Sequence, residues 1–266
     1  MSDTETTRGH EVTVEIDAPP ELVWKAITEA EEITKWYAPE AKVTPGAGGE
    51  IWISFGKGME GGGRIEIWDP PRHLRATLAG GPQALDYYIE AKGGSTVLRL
   101  VHSGFSRDAS FDNEYDSTKN GWRMFLSILE HGLERHPRAP AANVTLMAQL
   151  RVPAEEAWKR LLGPGGFELN GAADELRAGG RYRGRAAGET LEGRVARFDR
   201  WGYLGVTVES MNNAYLSVFV ESCSGVAMLT IMWILYGEAM ERTEDVRTRW
   251  GKLIDGLFPE QERASG

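Results

Sequence analysis

The chain has 266 residues, of which 41% are hydrophobic and 26% are charged. That length predicts one large domain or two smaller ones, and the composition is typical of a globular protein. Its 39 acidic and 30 basic side chains give a formal net charge of -9, which argues against nucleic acid or an anionic membrane as the main partner.

Cysteine usage and the length of the apolar runs give an expectation for the compartment. Cys223 is the single cysteine, so no disulfide can form within the chain. The N-terminal residues are polar and lack the apolar centre of a secretory signal. The longest apolar run, residues 226–235, is much shorter than the ~20 residues that span a bilayer. We therefore expect a cytoplasmic protein without a membrane span.

The first half of the chain is predicted to contain a strand, two short helices and then an antiparallel run of strands. Val12, Val14 and Ile16 alternate with polar residues, which is typical of a strand with one buried face. Pro20 suits the first turn of a helix, and a second short helix is expected over 31–36. The later strands are expected at 41–44, 50–55, 63–68, 74–78 with 84–91, and 96–102.

A long helix is predicted over residues 113–136. Apolar side chains recur there at steps of three and four, which places them on one stripe of the helix. They are Trp122, Phe125, Leu126, Leu129 and Leu133. Pro137 ends the helix, because proline has no amide hydrogen to donate. Such a stripe needs a broad apolar surface, and the preceding strands are expected to supply it.

The same order of elements returns in the second half. Residues 137–141, Pro-Arg-Ala-Pro-Ala, have the composition of a stiff linker. Pro-Ala-Glu-Glu-Ala-Trp-Lys at 153–159 then parallels Pro-Pro-Glu-Leu-Val-Trp-Lys at 19–25. Further matches pair 178–182 with 47–51 and 191–198 with 62–68; strands are expected at 215–221 and 226–236, and a helix at 238–258. We predict two copies of one α+β fold, over residues 1–137 and 143–266.

Several segments of the first copy resemble one known family. They are Ala-Pro-Pro-Glu-Leu-Val-Trp at 18–24, Thr-Lys-Trp-Tyr-Ala-Pro at 34–39, Gly-Arg-Ile-Glu-Ile at 63–67 before Asp-Pro-Pro at 69–71, and His-Ser-Gly-Phe at 102–105 with Gly-Trp at 121–122. The family is the bacterial branch related to the activator of the ninety-kilodalton heat-shock chaperone's ATPase. It lies within the START-like (SRPBCC) helix-grip superfamily. The second copy resembles the family only in outline.

The resemblance implies two tandem START-like domains, each a curved antiparallel sheet around a long C-terminal helix, with a cavity between sheet and helix. Superfamily members include lipid and hormone binders, polyketide cyclases and chaperone activators, so the fold alone does not select an activity. The eukaryotic activators also carry an N-terminal domain with an Asn-Asn-Trp-His-Trp motif. The polar N-terminal tail of this chain lacks that motif.

The candidate site is expected in that cavity. His102 shares a strand face with Leu98 and Leu100, where an imidazole could anchor a ligand or act as a general base. The alternative is a histidine bonded to backbone near a strand end. Aromatic side chains could line a pocket or simply fill the core, and alternation places Trp52 and Trp68 opposite the isoleucines of their strands. The predicted ligand-binding residues are Trp36, Ile53, Phe55, Tyr87, Leu100, His102, Trp122 and Phe125.

Other polar residues give no recognisable chemistry. No serine, aspartate or cysteine has a catalytic spacing, so no catalytic residue is assigned. Arg64 and Glu66 lie two apart on one strand face, where they could pair across strands or enter a cavity, although exposed pairs of this kind are usually solvated. His131 and His136 are expected on different sides of the long helix. Without a further ligand pattern, neither a metal nor another cofactor is predicted.

The leading hypothesis is binding of a small apolar or amphipathic molecule by the first copy, while the second copy, which has no histidine, is structural or a degenerate pocket. One alternative is a cyclase- or hydratase-type enzyme, which needs two convergent titratable groups near His102. Another is a chaperone-regulating interaction module or homodimer with an exposed apolar patch. The strand at 226–235 is apolar on both faces and is expected to pack against the first copy or a second subunit.

Overall fold

The computed structural model describes residues 7–170, 176–200, 202–223 and 226–263. The chain divides into two compact units, Met1–Arg138 and Ala139–Gly266. Each unit contains one seven-stranded antiparallel sheet followed by a long helix. The α+β class and the tandem helix-grip arrangement predicted from the sequence are therefore confirmed.

The first unit begins with one strand and two short helices, which precede the rest of its sheet. Its elements are β1 (Thr7–Ile16), α1 (Pro20–Thr28), α2 (Ala30–Ile33), β2 (Glu40–Thr44), β3 (Glu50–Ser54), β4 (Glu60–Asp69), β5 (His73–Leu78), β6 (Ala84–Lys92), β7 (Ser95–Ser106) and α3 (Asp112–Arg135). The strand order is β1-β7-β6-β5-β4-β3-β2, so the N-terminal strand pairs with the last one. β7 continues beyond His102, which the sequence had placed at the end of its strand.

The helix α3 buries three of the five residues of the predicted apolar stripe, while Phe125 and Leu133 are only partly buried. Trp122, Leu126 and Leu129 are all buried, and Trp122 contacts the sheet at His102 of β7. Acidic residues occupy the first turn, where the exposed N–H groups of the helix favour negative charge. The last helical residue is Arg135, and His136 separates it from Pro137.

The expectation that His131 and His136 lie on different sides of α3 was wrong. Their ring centroids are 5.5 Å apart. His136 follows the last helical residue, and its backbone leaves the helical conformation while its amide still donates to the carbonyl of Gly132 at 3.0 Å. The turn of the chain therefore brings the second ring back toward the first.

The second unit repeats the order of the first. Its elements are β8 (Ala141–Leu150), α4 (Ala154–Leu161), β9 (Glu168–Leu169), β10 (Arg181–Ala186), β11 (Glu189–Asp199), β12 (Tyr203–Val208), β13 (Ala214–Cys223), β14 (Val226–Tyr236) and α5 (Thr243–Leu257). The strand order β8-β14-β13-β12-β11-β10-β9 matches that of the first sheet. Two expectations need correction here. Strand β12 was not predicted, and the helix expected at 238–258 starts only at Thr243, after a 3₁₀ turn over Gly237–Arg242.

A bulge in β4 decides the direction of Trp68. The register between β4 and β5 shifts between Ile65 and Ile67, so Trp68 pairs with the fully buried Leu74. Strict alternation had placed Trp68 opposite the isoleucines, but a bulge adds one residue and reverses the alternation beyond it. The Trp68 ring therefore contacts Trp24 of α1, with the ring centroids 5.2 Å apart.

The longest apolar run of the sequence forms strand β14, which is buried on both faces. Leu229, Ile231 and Trp233 belong to the core of the second unit. Thr230 and Met232, which lie between them on the opposite face, are buried as well. Packing of this face against the first copy or a second subunit stays a prediction. In the described part of the chain, every helix is too short or too polar to cross a bilayer.

We predict that Gly104→Ala destabilises the first unit more than Gly80→Ala does. Both glycines have a positive φ, 88° and 91°, which costs an alanine about 1–2 kcal/mol. Only at Gly104 would a Cβ meet another atom, the carbonyl oxygen of Pro82 at 2.3 Å, whereas Gly80 faces open space. The clash should add about 1–3 kcal/mol to the loss in free energy of unfolding. Urea denaturation of both variants measures this difference, and equal losses would contradict it.

Candidate functional site

The inner face of the first sheet and helix α3 enclose an aromatic interior. Four predicted site residues meet there and are buried: Tyr87 on β6, Leu100 and His102 on β7, and Trp122 on α3. The Trp122 ring lies edge-on to Tyr87 at 6.2 Å and to His102 at 6.3 Å. The structure thus brings the centre of the predicted site together.

Tyr37 connects the remaining aromatic residues and was not predicted. Its ring centroid lies 5.2 Å from Trp122, 4.6 Å from Phe125 and 5.6 Å from Phe55. Tyr37, Phe55 and Phe125 are only partly buried, so they form the edge of the interior nearest to solvent. Burial of the phenol raises the pKa of Tyr37 to about 12, so its hydroxyl stays neutral. In the sequence, the only indication of this role was that Tyr37 follows Trp36 within the family motif at 34–39.

Trp36 and Ile53 lie at the side of the interior that faces the short helices. Trp36 stacks on Tyr37 at 5.3 Å and donates its indole N–H to the carbonyl of Ala26 in α1 at 2.8 Å. Ile53 packs in a small buried cluster with residues of α2 and the loop that follows it. These two predicted residues therefore support the aromatic wall from the side of the short helices.

One hydrogen bond fixes the protonation pattern of His102. The indole Nε1–H of Trp122 donates to Nδ1 of His102 at 3.1 Å. An indole nitrogen can only donate, so Nδ1 of the neutral imidazole must be the unprotonated, accepting nitrogen. The proton of His102 therefore lies on Nε2. That buried N–H has no hydrogen-bond partner among the described residues.

A second histidine lies beside the first and was missed in the sequence. His10 of β1 is the register partner of His102, and the two ring centroids are 5.5 Å apart. His10 is buried, and both of its ring nitrogens lack a hydrogen-bond partner in the described part of the chain. The signal was present, because His10 continues the alternation of Val12 and Val14. The apolar residues of this alternation begin only at Val12, so the pattern alone places His10 in the polar tail.

A glycine lets the two histidines approach. The pairing of β1 with β7 shifts between Arg8 and His10, and a Cβ on the intervening Gly9 would lie 2.9 Å from the carbonyl oxygen of His102. Tyr115 of α3 donates its hydroxyl to the carbonyl of Gly9 at 3.0 Å. This irregular point in the strand is therefore tied to the helix, and it sets the position of His10.

Both histidines are neutral at neutral pH. Burial, followed by the neighbouring His10, lowers the pKa of His102 to about 3. Burial also lowers the pKa of His10 to about 4, with smaller contributions from the positive charges of Lys119 and Arg123, while Asp116 opposes them. Each ring then offers one donor and one acceptor. The interior thus combines aromatic surface with a few fixed polar atoms.

Arg64 and Glu66 do not take part in this interior. The Glu66 carboxylate accepts hydrogen bonds from Arg75 and Thr77 on neighbouring β5, and Arg64 is exposed. The carboxylate is therefore engaged outside the aromatic interior. Within the described residues, no three His, Cys, Asp or Glu side chains are grouped as a metal site requires.

The second unit places different residues at the equivalent positions. The pair Ile16–Thr96 of the first sheet corresponds to Leu150–Ala227 of the second. Ile16 and Leu150 each lie three residues before the proline that caps the following helix. Six residues further along each pair of strands, His10–His102 of the first sheet corresponds to Val144–Trp233 of the second. Trp233 contacts Trp250 of α5, with ring centroids 5.4 Å apart. The same register therefore carries a more apolar pair, although the buried indole nitrogen of Trp233 also lacks a hydrogen-bond partner among the described residues.

Comparison with known proteins finds a family whose model matches most of the first unit. Residues 17–134 match the family described as Activator of Hsp90 ATPase homolog 1-like protein. No curated protein matches the chain.

Solved structures resemble one unit or the whole chain. The Aha1 dimer from Colwellia psychrerythraea, a solution structure, has 20% sequence identity over 49% of this chain and 98% of its own, with a TM-score of 0.45. CalU16 from Micromonospora echinospora has 27% identity over 46% of this chain and 74% of its own, with a TM-score of 0.40. DynU16, a protein of the dynemicin biosynthetic locus, has 18% identity over 96% of this chain and 97% of its own, with a TM-score of 0.42.

We predict that in the Trp122→Phe variant the imidazole of His102 is no longer restricted to the Nε2–H tautomer. The substitution keeps an aromatic ring but removes the hydrogen bond that the indole donates to Nδ1, so the proton should distribute between both nitrogens. Nitrogen-15 chemical shifts of the imidazole measure this directly. Leaving the buried acceptor unpaired should also cost about 1–3 kcal/mol in the free energy of unfolding. An unchanged Nε2–H tautomer in the variant would contradict the assigned role of the indole.

We also predict that the two buried histidines make stability depend on pH. Their pKa values, about 4 and about 3, lie below the ordinary value of 6.5, so the unfolded chain binds more protons than the folded one below pH 6.5. The stability is therefore complete above pH 6.5 and is lost as the pH falls toward the folded pKa values, by up to about 1.4 kcal/mol per pH unit for each histidine. Urea denaturation between pH 7 and 4.5 gives the free energy of unfolding at each pH. Its decrease with falling pH should be smaller for the His10→Leu/His102→Leu variant than for the wild-type protein. An equal decrease in both proteins would refute the assignment.

Proposed function

We propose that the first unit, whose residues 17–134 match the Activator of Hsp90 ATPase homolog 1-like family, binds a small molecule between its sheet and long helix. The molecule is apolar or amphipathic and carries at least one hydrogen-bond acceptor, such as a ketone or hydroxyl oxygen. Aromatic burial supplies most of the affinity, at roughly 25 cal/mol per Å² before the costs of association.

The buried imidazole nitrogens of His10 and His102 without partners carry this proposal. A buried donor that lacks a partner costs about 1–3 kcal/mol, so proteins seldom keep one without a reason. The tautomer of His102 fixes Nε2 as a donor, and His10 adds one donor and one acceptor beside it. An oxygen-bearing ligand in contact with these nitrogens would remove that cost.

The pKa values favour binding over acid–base catalysis. A cyclase- or hydratase-type enzyme needs two convergent titratable groups, and His10 with His102 meets that requirement in position. General bases work best with a pKa near the operating pH. At about 4 and about 3, these imidazoles accept a proton only weakly at neutral pH. They are better suited to orient a ligand than to remove a proton from it.

The surface gives less support to an interaction module. Such a module would present a large contiguous apolar patch. Among the described residues, the exposed large hydrophobic side chains are Met59 and Phe111. They belong to separate segments, the hairpin before β4 and the turn before α3.

We predict that the protein purified from its own host carries one small molecule per chain. Native mass spectrometry should show the added mass, and denaturation followed by small-molecule analysis should identify an apolar compound with an acceptor oxygen. The His10→Leu/His102→Leu variant should lose the compound, because it lacks the polar anchors. His73→Gln is the matched control, since His73 lies on the outer face of the same sheet, and it should retain the compound.

A titration tests the acceptor requirement without relying on the variant. 2-Acetylnaphthalene and 2-ethylnaphthalene have similar size, but only the first has a carbonyl oxygen. The wild-type protein should bind the ketone about tenfold more tightly, as expected for one added hydrogen bond in a buried site. Equal binding of both probes would reject the role of the histidines, and binding of neither would reject the interior as a small-molecule site.

A further inference from the structure

A groove on the surface of the first unit lies apart from the aromatic interior. Its volume is about 610 Å³, which is within the usual range for small-molecule sites. Helix α1, the end of β2 and the turn after β4 form its walls. The lining residues are Glu21, Trp24, Lys25, Thr28, Glu29, Ala30, Val43, Pro45, Trp68, Pro70 and Pro71.

Two indole rings and three prolines give the groove an apolar interior. The ring centroids of Trp24 and Trp68 are 5.2 Å apart, and the ring planes meet at 80°. The two indoles therefore present ring surface in two nearly perpendicular directions. This arrangement depends on the bulge of β4, which brings Trp68 to the side of α1. The face of an indole carries negative charge density and attracts cations.

The charged residues at the rim leave an unpaired carboxylate. Lys25 lies 4.0 Å from Glu29, one helical turn away, in an exposed ion pair. Glu21 also lines the groove, and it makes no hydrogen bond or ion pair among the described residues. The groove therefore combines aromatic faces with a net negative rim, which is complementary to a positive charge on an apolar body.

The equivalent region of the second unit has lost this combination. Glu155 and Lys159 of α4, which correspond to Glu21 and Lys25, form an ion pair at 2.8 Å. Phe198 replaces Trp68 and lies nearly parallel to Trp158, at 6.4 Å and 27°. The second unit thus neutralises the carboxylate and removes the perpendicular pair of indoles, while it keeps the packing of the helix on the sheet.

We propose that the groove of the first unit binds a small organic cation, an alkylated ammonium group attached to an apolar or weakly polar body. The ammonium would lie against Trp24 and Trp68 with the Glu21 carboxylate at the rim. An alkylated ammonium suits this groove better than a metal ion, because indole and proline rings offer no ligand atoms to a metal. The proposal is independent of the ligand proposed for the aromatic interior.

Choline and 3,3-dimethylbutan-1-ol test the proposal, because they share a shape and differ in charge. In an NMR titration of the full chain, choline should shift the indole N–H resonances of Trp24 and Trp68. It should bind about tenfold more tightly than the uncharged alcohol, which corresponds to one cation–π and carboxylate contact. Glu21→Gln and Trp68→Phe should each weaken choline binding several-fold. Both positions are solvent-accessible, and a thermal unfolding curve confirms that each variant is folded.

Glu155→Gln in the second unit is the matched control and should leave the choline affinity unchanged. Equal binding of choline and the alcohol would overturn the proposal, since the groove would then select only for apolar shape. An absence of choline binding would overturn it as well. So would binding that survives both Glu21→Gln and Trp68→Phe, because the cation would then lie elsewhere.

Discussion

The indole of Trp122 couples the long helix of the first unit to its sheet. Its N–H bonds to His102, and its ring contacts Tyr37, Tyr87 and Phe125. The hydrogen bond selects one tautomer of a neutral imidazole, so a helix residue determines what a strand residue offers to the interior. The aromatic wall and the polar atoms of the site therefore share one anchor. A change at this position alters the packing and the chemistry together.

The two units show how one register can carry two kinds of interior. His10 and His102 of the first sheet are replaced in the second by Val144 and Trp233, with the same strand order around them. Buried polar atoms without partners lower stability, and among the described residues the histidine pair leaves three such nitrogens, whereas the Val144–Trp233 pair leaves only the indole nitrogen. Retention of the histidines in one copy alone is difficult to explain by stability. It is expected if that copy has kept a ligand and the other has kept only the fold.

The sequence predicted the fold well where local patterns are regular. Alternation identified β1, the helical stripe identified α3, and the repeated Pro-x-Glu-x-x-Trp-Lys segment identified the second copy. The errors fall where tertiary structure overrides the pattern. The bulge at Glu66 reversed the direction of Trp68, and β12 has a short apolar pattern between polar turns that gave no separate signal. At the site, Trp122 and His102 were predicted. His10 was not, because it becomes a neighbour of His102 only when β1 pairs with β7, which is far from it in sequence.

Helix α1 connects the two ligand sites proposed for the first unit. Its Trp24 forms one wall of the surface groove, and its Ala26 carbonyl accepts the hydrogen bond that holds Trp36 in the aromatic interior. The helix thus contributes a side chain to the groove and a backbone carbonyl to the interior. The interior offers neutral N–H donors, which suit an acceptor oxygen, while the groove offers indole faces and a carboxylate, which suit a cation. A single molecule would not satisfy both sites. The two proposals for the first unit therefore call for ligands of different classes, at sites that share one short helix.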